Sequence, residues 1–115
     1  VLTNEEEINN PNLVKCVTDR NGFALYFSRS KIPYERNSGI ATFYGHLGIY
    51  GYKRKALEAM TTLAQTPLER TESLEQLRAL ENGMKIKTSV VDFVPVGIDT
   101  REDLEKFKQI LESKL

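Results

Sequence analysis

The chain has 115 residues, enough for one small domain or for part of a larger one. Its 16 Lys and Arg balance 16 Asp and Glu, so no surplus positive charge exists for phosphate neutralisation, which argues against a nucleic-acid binder and a polybasic membrane anchor. A hydrophobic content of 40% with 28% charged residues is ordinary for a globular protein, and no apolar run approaches membrane-spanning length.

The first residue is Val1 rather than Met, so a processed terminus or a piece of something longer is expected. Residues 1–12 are polar, with an acidic run at Glu5-Glu6-Glu7, and read as a loop with one helical turn. Leu13 to Thr18 reads as a strand and Phe23 to Phe27 as a second. Asp19-Arg20-Asn21-Gly22 between them has turn chemistry, because Asn and Gly tolerate positive φ, so the two strands form a β-hairpin. Cys16, the single cysteine, cannot form an internal disulfide, and with no secretory signal a cytoplasmic setting is expected.

Ser28 to Thr42 is irregular and carries Arg29, Lys31 and Arg36. Phe43 to Tyr52 reads as a buried aromatic strand in which Gly45, Gly48 and Gly51 suggest close backbone approach. Lys53 to Leu63 is helical in pattern, with Leu57, Met60 and Leu63 on one face. Pro67 to Glu81 is the clearest helix: Thr66 can cap it, Leu74, Leu77 and Leu80 form its stripe, and Asn82-Gly83 ends it. Lys85 to Asp92 reads as a strand, and residues 97–100 as a turn. Thr100 to Leu115 is an amphipathic helix with Leu104, Phe107, Leu111 and Leu115 on one side, opened by a capping pair of Thr100 and Asp103. Strands alternating with helices in the second half predict a mixed α/β fold with a partly parallel sheet and flanking helices.

Three features have chemical potential. Arg29 and Arg36 offer planar donors for a carboxylate or phosphate, although solvated surface charge is the commoner role of an arginine. His46 lies among Tyr44, Tyr50 and Tyr52, and strand alternation would put His46, Gly48, Tyr50 and Tyr52 on one face, as a sugar-binding wall or a subunit interface. A lone histidine there is more often structural. The carboxylate positions are Glu75, beside Gln76, and Asp99, which would stand at a strand's C-terminal end where α/β sheets bind ligands. Asp99 has two readings, a helix cap or a Mg²⁺ ligand, and spacing alone favours the cap. The sequence contains no metal-ligand cluster, nucleophile elbow or glycine-rich phosphate loop.

Longer tracts add a resemblance. Ala24 to Tyr34 (ALYFSRSKIPY) resembles a segment of the 3-deoxy-manno-octulosonate (KDO) cytidylyltransferases. So, in order, do residues 10–15 (NPNLVK), 46–52 (HLGIYGY), 67–69 (PLE), 73–78 (SLEQLR) and 97–100 (GIDT). Members of that family are roughly twice as long and carry a "PARxxSxRxPxK" nucleotide loop and a "QGDEP" segment that are absent here; the stretch between Arg36 and Phe43 is also short.

The resemblance implies that residues 1–115 are one region, the C-terminal, sugar-binding and dimerising half of a Rossmann-like nucleotide-diphospho-sugar transferase fold. It implies that Arg29, His46, Tyr50, Glu75 and Gln76 bind KDO, with Arg36 a weaker candidate, and that Asp99 shares Mg²⁺ with the missing "QGDEP" aspartate. The implied reaction converts KDO and CTP to CMP-KDO and pyrophosphate for lipopolysaccharide synthesis, in a homodimer. CTP would bind mainly through the absent half, so this chain alone would be inactive. The alternatives are a non-catalytic dimerisation fragment and a cytidylyltransferase for another acidic sugar such as a sialic acid.

Overall fold

A computed structural model describes residues 1–93 and 97–115. Its elements run α1 (Glu5–Asn9), β1 (Lys15–Thr18), β2 (Ala24–Ser28), β3 (Tyr44–Gly45), α2 (Arg54–Thr62), α3 (Pro67–Glu72), α4 (Gln76–Glu81) and α5 (Arg101–Lys114). The three strands form one sheet in the order β2-β1-β3. Mixed α/β composition is therefore observed, but both strand pairings are antiparallel rather than partly parallel.

The hairpin forms where the turn chemistry placed it. Gly22 adopts φ +82°, and the Asp19 carboxylate accepts from the Asn21 and Phe23 amides at 2.8 and 2.9 Å. A register shift between Val17 and Thr18 accommodates the turn. The expected strand over residues 85–92 is reduced to a single bridge between Phe23 and Lys87. Lys85 and Lys87 place their ammonium groups over the Phe23 ring, and Val90 and Val91 stay exposed, so no apolar face drives longer pairing.

The expected strand over residues 43–52 is also cut short. Only Tyr44 and Gly45 pair with β1, and the chain then turns, with the Ile49 amide donating to Leu47. Gly45 lies in a close approach, since a Cβ would lie 3.0 Å from a Leu2 methyl, which would have to shift. Gly48 and Gly51 have no atom near a would-be Cβ, so close approach does not explain them.

The expected helix over residues 67–81 is two helices. Ser73 breaks it in the left-handed region at φ 55°, ψ 49°. A non-glycine residue there costs on the order of 1 kcal/mol or more, so surrounding contacts must hold it. The Leu stripe still does its work, all of it after the break: Leu74 and Leu77 are buried with Cys16, Ala24 and Phe27, flanked by Val14, Tyr26, Leu80 and Ile86. Burial pushes the Cys16 thiol up to about 11, so it is protonated and unreactive at neutral pH. From α2, Met60 is buried while Leu57 is half exposed.

An ion pair joins the three central helices. Arg78 grips the Glu69 carboxylate with Nη2 at 2.6 Å and Nε at 2.9 Å, and reaches the Met60 carbonyl of α2 at 3.4 Å. The Arg78 hydrogen bond holds the Glu69 carboxyl below its ordinary range against the opposing effect of burial. Helix α5 opens with the expected capping pair, the Asp103 amide donating to the Thr100 hydroxyl at 3.1 Å and the Thr100 amide to the Asp103 carboxylate at 3.0 Å. No residue of α5 is buried, and Leu104, Ile110 and Leu111 are exposed.

Candidate functional site

The site grows from the end of the sheet. The His46 amide donates to the Val14 carbonyl at 2.8 Å, which carries the β1–β3 pairing one step further and fixes the imidazole beside the core. Its ring meets Phe27 edge-on, with centroids 5.2 Å apart. The turn that follows, rather than strand alternation, brings Tyr50 back onto it: the Tyr50 hydroxyl lies 2.5 Å from His46 Nε2. Tyr52 continues the wall, its ring 6.1 Å from that of Tyr50.

Burial lowers the His46 pKa, so the ring is neutral at pH 7. Burial, then the neighbouring Tyr52, Cys16 and Glu75, push the Tyr50 phenol up to about 12. Tyr50 keeps its hydroxyl proton and the His46 ring is neutral, so the two share one hydrogen bond whose donor is set by the imidazole tautomer. Glu75 acts on the Tyr50 phenol only electrostatically and lines a depression with Glu69, Ser73 and Arg78.

Glu75 is the N-cap residue of α4, and Gln76 is its first helical residue. The side-chain nitrogen of Gln76 is buried and has no hydrogen-bond partner among the described residues. An orphaned donor of this kind costs about 1–3 kcal/mol unless something accepts from it.

Arg29, just past β2, is deeply committed to the protein. Nε donates to the Glu72 carbonyl at 2.7 Å, Nη1 to the Pro11 carbonyl at 3.1 Å and Nη2 to the Ser73 carbonyl at 3.3 Å. A guanidinium has five N–H donors, so two remain for a ligand. Two of its three anchors, Glu72 and Ser73, lie just before Glu75 in the chain, so Arg29 and the Glu75–Gln76 pair share one junction. The Glu72 carboxylate accepts from the Ser28 hydroxyl at 2.7 Å, the Arg29 amide at 3.0 Å and the Tyr26 hydroxyl at 3.4 Å. Burial pushes its pKa up, but those donors outweigh burial and leave it below the ordinary value. Behind them Lys15 is fully buried, its ammonium donating to the Asn10 and Leu13 carbonyls at 2.8 and 2.5 Å. Sequence reading missed both Glu72 and Lys15. The only hint in the sequence was an ionisable residue inside an otherwise apolar strand (Lys15) or at a helix break (Glu72).

Two candidates stand apart from this cluster. Arg36 lines a separate depression of about 260 Å³ with Pro33, Tyr34 and Ile40. Asp99 precedes α5, and no hydrogen bond, ion pair or ring contact among the described residues links it to the aromatic cluster. Among the described residues no strand ends at it, and it is not the cap, since Thr100 occupies that position. Its carboxylate is a hard oxygen donor of the type Mg²⁺ takes, and among the described residues no group of three or more His, Cys, Asp or Glu supplies a complete metal set. One carboxylate suits an ion whose other ligands are phosphate, water or a group from elsewhere.

A 3-deoxy-manno-octulosonate cytidylyltransferase of Chloroherpeton thalassium is 52% identical over 111 residues, covering 96% of this chain and 45% of the relative. One of the same name from Fusobacterium nucleatum is 53% identical over 105 residues, covering 91% of this chain and 43% of the relative. The chain thus spans somewhat under half the length of these relatives. The solved structure of CMP:2-keto-3-deoxy-manno-octonic acid synthetase complexed with CTP superposes with a TM-score of 0.93 at 40% identity, over 98% of this chain and 47% of that one. The fold seen here is therefore part of that nucleotidyltransferase fold. Residues 1–86 match the cytidylyltransferase family as a whole, and to that family the chain belongs.

Proposed function

We propose that this chain is the sugar-acid-binding half of a KDO cytidylyltransferase. The complete protein joins KDO to CTP: the anomeric hydroxyl oxygen bonds to the α-phosphorus, the bond from that phosphorus to the bridging oxygen breaks, and pyrophosphate leaves as the hydroxyl proton is lost. The product CMP-KDO serves lipopolysaccharide synthesis, and the enzyme works as a cytoplasmic homodimer. The observation that carries this reading is the His46–Tyr50 contact within the motif HLGIYGY, together with the orphaned, buried Gln76 donor in the motif SLEQLR.

Each side chain has a task suited to its state. The free N–H bonds of Arg29 face the sugar carboxylate, a charge-assisted contact. Neutral His46 and the Tyr50 hydroxyl bind sugar hydroxyls, Glu75 accepts from another, and the Gln76 amide donates to a ligand oxygen. Together they orient the anomeric oxygen, which is the main service a protein renders to a displacement at phosphorus. Asp99 would hold Mg²⁺ together with an aspartate of the other half, and the ion when bound would neutralise phosphate charge.

The test is pyrophosphate release by the complete protein, with CTP and either KDO or a sialic acid, beside the 115-residue chain alone. Turnover of KDO by the complete protein and none by this chain is expected. Preference for the sialic acid, or turnover by this chain alone, would overturn the reading.

A further inference from the structure

We propose that Glu72 is a positioning residue: it latches Arg29 to the α3–α4 junction and so holds the left-handed Ser73 that sets Glu75 and Gln76 in place. The inference rests on the sugar-acid reading above and adds a residue that no motif assigned to binding.

Glu72 is the last residue of α3; its side chain touches β2, and both its side chain and its main chain touch Arg29 just past that strand. One carboxylate oxygen takes the Ser28 and Tyr26 hydroxyls, the other takes the Arg29 amide, and the Glu72 carbonyl takes Arg29 Nε. Arg29 Nη2 then reaches the carbonyl of Ser73 itself. The strained residue is thus clamped from the side of the strand, and its amide-bearing neighbour Leu74 closes back on the Glu69 carbonyl at 3.2 Å. Without the break at Ser73, residues 67–81 would run on as one helix, and Glu75 and Gln76 would rotate to another face. A strained backbone next to binding residues is where such a latch is needed.

The complete enzyme tests this through steady-state kinetics with each substrate varied. Glu72→Ala is expected to raise KM for KDO roughly tenfold, the effect of one lost charge-assisted hydrogen bond, with KM for CTP unchanged. Glu72→Gln, which keeps an acceptor for the Arg29 amide and the same shape, is expected to restore most of the affinity. Adding Ser73→Gly to the Ala variant is expected to recover several-fold, because glycine takes the left-handed geometry without strain. Glu72→Asp, a milder change, is expected to give an intermediate KM and faster hydrogen exchange at the Arg29 and Leu74 amides. An unchanged KM for KDO in both the Ala and Asp variants would overturn the latch. So would an equal loss for both substrates, or a KM rise that Ser73→Gly leaves untouched. Failure of the sugar-acid reading is separable, because it shows as absent KDO turnover in the unmutated enzyme, while the hydrogen-exchange readout still reports on the latch.

Discussion

The Tyr50 hydroxyl lies 2.5 Å from Nε2 of His46, and it is a turn of chain rather than a strand face that puts it there. The contact orients both groups for hydrogen bonding. Tyr50→Phe removes it without changing the aromatic wall. In the complete enzyme this is expected to raise KM for KDO roughly two- to tenfold, the range of one neutral hydrogen bond, with CTP binding unaffected. Steady-state kinetics check it, and an unaltered KM for KDO would remove Tyr50 from the site.

His46 also predicts a pH dependence. Burial lowers its pKa in the folded state, so the unfolded chain takes up a proton more readily than the folded one. The stability it contributes is complete above the ordinary histidine value of about 6.5 and is lost as pH falls through that value toward the depressed one. An NMR titration of the His46 ring, assigned with a His46→Gln variant, is expected to give a midpoint below the ordinary value. KDO affinity is expected to weaken over the same window. A midpoint above the ordinary value would contradict the burial argument.

Arg29 carries two loads, and its replacement separates them. Arg29→Ala is expected to weaken KDO use more than CTP binding. It should also lower stability by about 1.5–3 kcal/mol, because the carbonyls of Pro11, Glu72 and Ser73 lose a charged donor. Kinetics and urea unfolding of the same variant measure both effects. Equal weakening toward both substrates would count against the carboxylate contact.

The pair formed by Glu69 and Arg78 is the strongest polar tie between α3 and α4. Arg78→Met leaves a buried carboxylate without its partner and is expected to lower the unfolding midpoint clearly. The double replacement Glu69→Leu with Arg78→Met is expected to be less damaging than the single one, because no charge is then stranded. Urea titration of the three proteins decides it, and a double variant worse than the single would refute the desolvation argument.

Asp99→Asn tests the metal role. Thr100 caps α5, so Asn at 99 is expected to leave stability unchanged. Turnover of the complete enzyme is expected to collapse and its Mg²⁺ requirement to rise. Thr100→Ala is the control: it removes the cap, at a cost of about 1 kcal/mol to the helix, and should spare the Mg²⁺ dependence. Near-normal turnover of Asp99→Asn at low Mg²⁺ would eliminate the assignment.

By itself the sequence determined what short-range chemistry decides. The Asp19–Gly22 turn, the Leu74–Leu77 stripe and the Thr100–Asp103 cap depend on residues within a few positions of one another, and each is found in the structure. Ordered motifs likewise sufficed to place the chain in its family. The tertiary structure alone decided the break at Ser73, the shortening of the strands expected at 43–52 and 85–92, and the roles of Glu72 and Lys15. Helix propensity across residues 67–81 is uninterrupted by glycine or an internal proline, so nothing local marks the left-handed residue. What stabilises that residue comes from Arg29, more than 40 positions earlier in the chain. Strand pattern in residues 46–52 similarly yields to a hydrogen bond between His46 and Tyr50 and to packing on Phe27. Interactions between distant segments outweigh local preferences of a few tenths of a kcal/mol per residue, and they become visible only once the chain has folded.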